Sequence, residues 1–282
     1  MTGIDDVLAA LELDEVAPGS FRARNMEAHG QVVYGGQILA QVVVAAARAA
    51  GGKDVRSVHT IFARGGRLDT GLEITVDTLN DGRAIGSSTV TVSQGDRTVS
   101  RSLVLTSVEE PDLVRHADAA PKVPAPEECP PAAHGNGWWE LRIVDGVDLS
   151  DPGAVGPAEL NVWTRAVGAP ADPVIGQALL AYATDGFLIG TAMRPHEGVG
   201  QALAHRSLST SVLSHTLTFH DPVNAGDWHL LAHESTYAGR GRAYGRAEVF
   251  TESGAMVASY VQESLLRANP NWDPSADQPG RY

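Results

Sequence analysis

82-GRAIGSSTVTVSQGDRTVSRS-102 lies over 241-GRAYGRAEVFTESGAMVASYV-261 at a constant offset of 159 residues. Gly82, Arg83, Ala84, Gly86, Val90, Gly95 and Ser100 meet identical residues at Gly241, Arg242, Ala243, Gly245, Val249, Gly254 and Ser259. Each copy alternates apolar and polar residues on either side of a glycine-containing turn, the pattern of an antiparallel hairpin. Chance similarity between strands explains a few identities, but not a shared GRAxG box together with an aligned turn glycine. The chain therefore carries an internal duplication.

Upstream of each hairpin stands a strongly apolar segment, GGQILAQVVVAAARAA from Gly35 and IGQALLAYATDGFLIG from Ile175, with Gly36-Gln37 over Gly176-Gln177 at an offset of 140. Between helix and hairpin sits a further strand candidate, SVHTIFARG from Ser57 and SVLSHTLTFHDP from Ser211. The change of offset puts extra residues in the second copy, in the loop from roughly Arg194 to Thr210. A helix that is apolar nearly all round must be buried on most sides, and a sheet curled around it achieves this. The expected fold is α+β, a double hotdog: an N-terminal unit over residues 1–112, a Pro/Ala-rich linker over 113–154, a C-terminal unit over 155–268 and a turn-rich tail over 269–282. A length of 282 residues suits two such cores, since a domain usually holds about 100 to 200 residues.

Composition removes several classes of function. With 43% apolar and 20% charged residues the chain is globular rather than disordered. The formal charge of −13, with no basic stripe to offset it, speaks against nucleic acid as a partner. Cys129 is the sole cysteine and lies in the Pro-rich run 121–131, which excludes an internal disulfide and gives a thiolate nucleophile no rigid platform. The apolar run Ile38–Ala50 is interrupted by Gln41 and Arg48 and falls short of the roughly 20 residues a bilayer requires, so no membrane span is expected there. No basic-then-apolar leader is apparent at the N-terminus, and a cytoplasmic protein is expected.

Within a duplication, polar residues where the other copy is apolar mark candidate chemistry. At the helix offset Asp185 lies over Ala45; at the hairpin offset Gln262 lies over Leu103. A carboxylate in the apolar run Ala178–Ile189 is expected to be desolvated, which raises its pKa and makes an unpaired charge costly. The alternative is that Asp185 ends its own helix or caps the segment Gly186–Ala192 with its side chain in solvent. For Gln262 the alternative is a structural hydrogen bond.

Over nearly its whole length the chain resembles the acyl-CoA thioesterase II family, the double-hotdog thioesterases. The matching segments are VVYGGQILAQ at Val32, SVHTIFARGG at Ser57, LLAYATDGFL at Leu179, SHTLTFHDP at Ser214 and VASYVQESLLR at Val257. The resemblance implies that Asp185 and Gln262 hold two positions of a catalytic trio that activates water against the thioester carbonyl of an acyl-CoA substrate. The third position is Ser or Thr in the family pattern, three residues before His215, and here it is Val212. Thr210 and Ser214 lie two residues to either side, which in an extended strand puts them on the same face. Ser214 is the expected substitute.

Hydrolysis of this kind needs a positioned water, a base and donors for the developing oxyanion, with no covalent nucleophile. Asp185 would be the base and Gln262 would orient the water. Neither a cofactor nor a metal is implied, since HExxH, Cys/His zinc, GxSxG, GxGxxG and P-loop patterns are all missing from the sequence. His229 and His233 share strand parity without completing a ligand set. Arg64, Arg67, Arg240, Arg242 and Arg246 are candidates for the CoA phosphates, although as turn residues each is more simply a solvated cation. A homo-oligomer is expected. Two rival readings are a hotdog hydratase or dehydratase, which needs a histidine close to the acid, and a non-catalytic acyl-CoA binding protein, which Val212 favours.

Overall fold

The computed structural model describes residues 3–26, 32–132 and 137–271. In chain order the elements are α1 (Ile4–Leu11), β1 (Asp14–Ala17), β2 (Ser20–Ala23), α2 (Gly35–Ala49), β3 (Asp54–Phe62), β4 (Leu72–Asp81), β5 (Ile85–Gln94), β6 (Arg97–Ser107), β7 (Trp139–Ile143), β8 (Glu159–Ala166), α3 (Pro173–Thr184), α4 (Leu188–Met193), β9 (Leu208–Phe219), β10 (His229–Gly239), β11 (Arg242–Thr251) and β12 (Met256–Ala268). The strands form one 12-stranded sheet in the order β1-β2-β4-β5-β6-β3-β9-β12-β11-β10-β8-β7. Read outward from its centre the order is the same in both halves, so the chain is a double hotdog joined edge to edge. The junction is the antiparallel pairing of β3 with β9, from Ser57↔Thr218 to Ile61↔Ser214.

Both hairpins fold as their alternation requires, with inner residues Ser88, Val90 and Val92 of β5 and Ala243, Ala247 and Val249 of β11 buried. Gly95 and Gly254 take φ of +57° and +87° in the two turns, a region open to glycine. The turns differ in length, however. Gly86 pairs with Thr106, whereas Gly245 pairs with Gln262, so the equivalent of Gln262 by sheet register is Thr106 and not Leu103. Leu103 lies on the outer face, 53% exposed, while Gln262 is 1% exposed on the inner face. The contrast expected between Leu103 and Gln262 is therefore corrected: a constant offset does not survive a change of turn length.

The two long helices pack on each other and on the inner face of the sheet, and α2 buries an unbroken run from Gly36 to Ala46. Each large aliphatic side chain so buried contributes on the order of 1.5–3 kcal/mol. Gly36 permits the close crossing, since a Cβ there would stand 2.4 Å from the Tyr182 carbonyl oxygen near the end of α3. The N-terminus of α2 thus abuts the C-terminus of α3. Asp172 starts α3, its Oδ1 accepting from the amides of Val174 and Ile175 at 2.9 Å, with Pro173 in the first turn. By length and composition the stretch Pro173–Met193 could cross a membrane, but 67% of its most apolar window is buried inside the fold, as in a core helix.

Residues 113–154 are more than a linker. Trp138 is buried, and β7 extends the sheet by pairing with β8 from Trp139↔Ala166 to Ile143↔Val162. Proline and alanine dominate the first part of this stretch and hide the strand that follows. The extra residues of the second copy comprise α4 as well as the loop after it. Of the tail, residues 272–282 lie outside the described residues.

Candidate active site

Asp185 is the residue at which α3 stops, with φ −79° and ψ −9°, and Gly186 and Phe187 turn the chain into α4. Its side chain does not cap α4. It points across the unit boundary to the first turn of α2, where a Cβ on Gly35 would meet Oδ2 at 2.6 Å. Oδ1 is shielded from solvent and has no hydrogen-bond partner. Burial lifts the carboxyl pKa from 3.8 to about 7, and the Gly36 backbone amide pulls part of the way back. The N-terminus of α2 favours an anion here while the C-terminus of α3 opposes it, and desolvation is the largest effect.

Aromatic side chains crowd this carboxyl group. Tyr34 and Tyr182 meet edge to face at 4.9 Å, and Trp139 lies edge to face on Tyr182 at 5.3 Å. Tyr34 Oη donates to the Tyr182 carbonyl at 3.3 Å, and Trp139 Nε1 donates to Thr164 Oγ1 at 2.7 Å. Burial, followed by repulsion from the Asp185 carboxylate, pushes the Tyr182 phenol up to about 12. Tyr260 is likewise raised, by burial first and then by Asp185.

Gln262 anchors a second, contiguous network. It faces His215 across the β9–β12 pair, and His215 Nδ1 lies 3.3 Å from Gln262 Oε1. His215 Nε2 lies 3.0 Å from Thr184 Oγ1, whose hydroxyl donates to the Ala181 carbonyl at 2.9 Å. Burial holds His215 down at about 4, hence neutral. Gln262 Nε2 donates to Ser264 Oγ at 2.9 Å. The chain of contacts from Gln262 therefore ends on Thr184, the residue immediately before Asp185. Beside it, His233 donates from Nδ1 to the Leu160 carbonyl at 3.0 Å and accepts from Tyr260 Oη at 2.5 Å, and burial lowers its pKa to about 4.

Ser214 is not brought to this cluster. It pairs with Glu263 and with Ile61, which is 49% exposed, so it belongs to the outer face. The reason is a β-bulge: Glu263 pairs with Ser214 but Ser264 pairs with Val212, leaving Leu213 as an extra residue. A bulge reverses strand parity, so Thr210, Val212 and His215 share the inner face and Ser214 leaves it. The hydroxyl that does reach Gln262 belongs to Ser264, whose parity with Gln262 two residues earlier was visible in sequence. Thr184 and His215 each adjoin a residue that the sequence marks out, Asp185 and Ser214.

Other candidates take ordinary structural roles. Arg67, Arg242 and Arg246 pair at the surface with Asp69, Glu263 and Glu234. His229 is buried, with Nδ1 at 3.0 Å from the Asp227 carbonyl. Among the described residues there is no group of three or more His, Cys, Asp or Glu side chains able to hold a metal ion.

Comparison with known proteins bears on the family to which the chain belongs. Residues 22–107 match the acyl-CoA thioesterase N-terminal domain and residues 126–266 the acyl-CoA thioesterase C-terminal domain. The chain is 28% identical to acyl-CoA thioesterase 2 of Haemophilus influenzae, over 94% of this chain and 98% of the relative. It is 26% identical to human acyl-coenzyme A thioesterase 8, over 94% and 89% respectively. Among solved structures, the tesB protein of Mycobacterium avium subspecies paratuberculosis is similar with a TM-score of 0.81 at 28% identity, over 94% of this chain and all of that one. The acyl-CoA thioesterase II TesB2 of Mycobacterium marinum follows at 0.80 and 27%, with the same coverage. With matches to both domains in order along one chain, this double hotdog belongs to the acyl-CoA thioesterase family.

Proposed function

We propose that the protein hydrolyses fatty acyl-CoA to a free fatty acid and CoA, with Asp185 as the general base toward water and Gln262 as the group that orients it. The observation that carries the reading is the Asp185 carboxyl group, desolvated at the N-terminus of α2 with Oδ1 unpartnered. A base whose pKa lies near neutrality is well matched to accept a proton from water and release it again. First-turn amides of α2 have no partners within their helix, and that of Gly36 donates instead to the Asp185 carboxyl group, which holds the base in place. Water adds to the thioester carbonyl as its proton passes to Asp185; collapse of the tetrahedral species then expels the CoA thiolate, which takes up a proton.

A setting in fatty acid metabolism and a cytoplasmic location complete the proposal, the latter supported by the unpaired thiol of Cys129, which suits a reducing compartment. Ile61, Leu103 and Leu105 are 49%, 53% and 43% exposed on the outer face of the sheet, which favours association with a second copy. Thiol release from a series of saturated acyl-CoAs tests the central reading. Asp185→Asn should lower it by roughly 10² to 10⁴ with acyl-CoA binding little changed. Full thiol release by that variant would refute the assignment of the base.

A further inference from the structure

We propose that Ser264 is the positioning residue for Gln262, supplying from β12 the hydroxyl that the family pattern places on β9 at position 212. The inference rests on Gln262 acting on the attacking water, and it explains how that action survives a valine at position 212.

Three observations meet at this side chain. Ser264 and Val212 are direct partners across the β9–β12 ladder, just beyond the bulge at Leu213. Directly opposed residues hold their Cβ atoms about 4.5–5.5 Å apart on the same face, so a hydroxyl on either strand reaches the same small volume. Ser264 Oγ sits 2.9 Å from Gln262 Nε2, and the two residues are 2% and 1% exposed. Val212 offers this volume only methyl groups.

Together with the contact to His215, this bond ties both ends of the amide to the inner face of the sheet. Gln262 Oε1 is held by His215 Nδ1, which leaves Nε2 to find an acceptor, and Ser264 Oγ is that acceptor. One amide hydrogen is thereby committed, and the other is left for a substrate or water. Without the hydroxyl the amide loses this buried partner and is held only at His215. The side chain would then be free to shift, and with it the polar group presented to the water. A fixed amide thus requires a second polar partner at this point of the β9–β12 pair, which Ser264 supplies and Val212 does not.

Steady-state thiol release with saturated acyl-CoAs tests this, with melting curves to confirm that each variant folds. Ser264→Ala should lower kcat about 10- to 100-fold and leave KM within about threefold, since the bond orients rather than binds. Val212→Thr placed in the Ser264→Ala protein should restore most of the rate, and Ser264→Thr should retain it. Should Ser264→Ala fold poorly, Ser264→Cys keeps the volume with a weak acceptor and should show the same fall. Wild-type kcat in Ser264→Ala, beside an inactive Asp185→Asn, would overturn the role of Ser264 while leaving the base in place. A loss that neither Val212→Thr nor Ser264→Thr repairs would overturn it as well. Full turnover by Asp185→Asn is the distinct result that removes the underlying reading.

Discussion

A Cβ on Gly35 would stand 2.6 Å from Oδ2 of Asp185, so the helix of the first unit meets the carboxylate of the second with no space for a side chain between them. The site is thus composite: backbone from one copy, acid from the other. Gly35→Ala should preserve the fold, at a cost of about 1–3 kcal/mol from overpacking. Because the methyl group must displace the carboxylate, thiol release should drop at least about tenfold. Urea unfolding and thiol release measured on the same preparation separate the two effects; an alanine variant at full rate would mean that Asp185 need not sit against α2.

Asp185 should also set the pH dependence of turnover. With its pKa raised to about 7, it is largely protonated at pH 6 and ionised at pH 8. The value of kcat/KM should rise through pH 7 and level off above it, after subtraction of spontaneous thioester hydrolysis. His215 and His233, held near 4, stay neutral throughout that range and add no second limb. A rate independent of pH between 6 and 8 would contradict the ionisation assigned to Asp185.

Stability should respond to the same groups with opposite signs. A carboxyl group raised in the folded state contributes stability that is complete below its unfolded pKa near 3.8 and is lost as pH rises through about 7. Asp185→Asn removes that loss, so at pH 8 the variant should be more stable than the parent by on the order of 1–3 kcal/mol, a range reduced for the partial exposure of the residue. Melting temperatures of parent and variant at pH 5 and pH 8 check this: the gap should be wide at pH 8 and narrow at pH 5.

The buried histidines work the other way. His215 and His233 are lowered in the folded state from 6.5 to about 4, so their contribution is present above pH 6.5 and is lost as pH falls toward 4. His215→Gln, which keeps hydrogen-bonding capacity without a titrating ring, should flatten the loss of stability over that interval. Equal acid sensitivity in parent and variant would show that His215 does not carry it.

Arg194 pins the chain before β8 to the second unit. Its side chain is 8% exposed, Nη2 lies 2.5 Å from Asp145 Oδ2, and Nη1 donates to the Glu159 carbonyl. Asp145→Ala leaves the shielded guanidinium without its counter-charge and should cost about 1–3 kcal/mol in urea unfolding, at the lower end because Asp145 is itself half exposed. A loss under about 0.5 kcal/mol would mark the pair as a surface ornament of the kind whose net value is small.

The architecture was legible because duplication repeats its own evidence: GRAxG, the turn glycine and the apolar helix each occur twice, and each alone specifies an element. Asp185 was legible for a different reason, since a carboxylate in an apolar run has few inexpensive places to go. Long-range register was not. The bulge at Leu213 exists only as a mismatch between β9 and β12, and it moved Ser214 to the outer face. The unequal turns displaced the partner of Gln262 from Leu103 to Thr106. Nor could local pattern show that Trp139, after a proline-rich stretch, would wall the site from an edge strand.

The β3–β9 junction also governs inheritance. Two separate identical chains meeting there would each have to encode every part of two sites, and any substitution would appear in both. With the halves on one polypeptide, α2 can keep Gly35 and Gly36 for their backbone while the acid, the amide and its serine are encoded only in the second half. Division of labour of this kind exposes the first half's equivalent positions to drift and confines selection on the chemistry to a few codons, so a hydroxyl gained on β12 can precede one lost on β9 without any change in the first half.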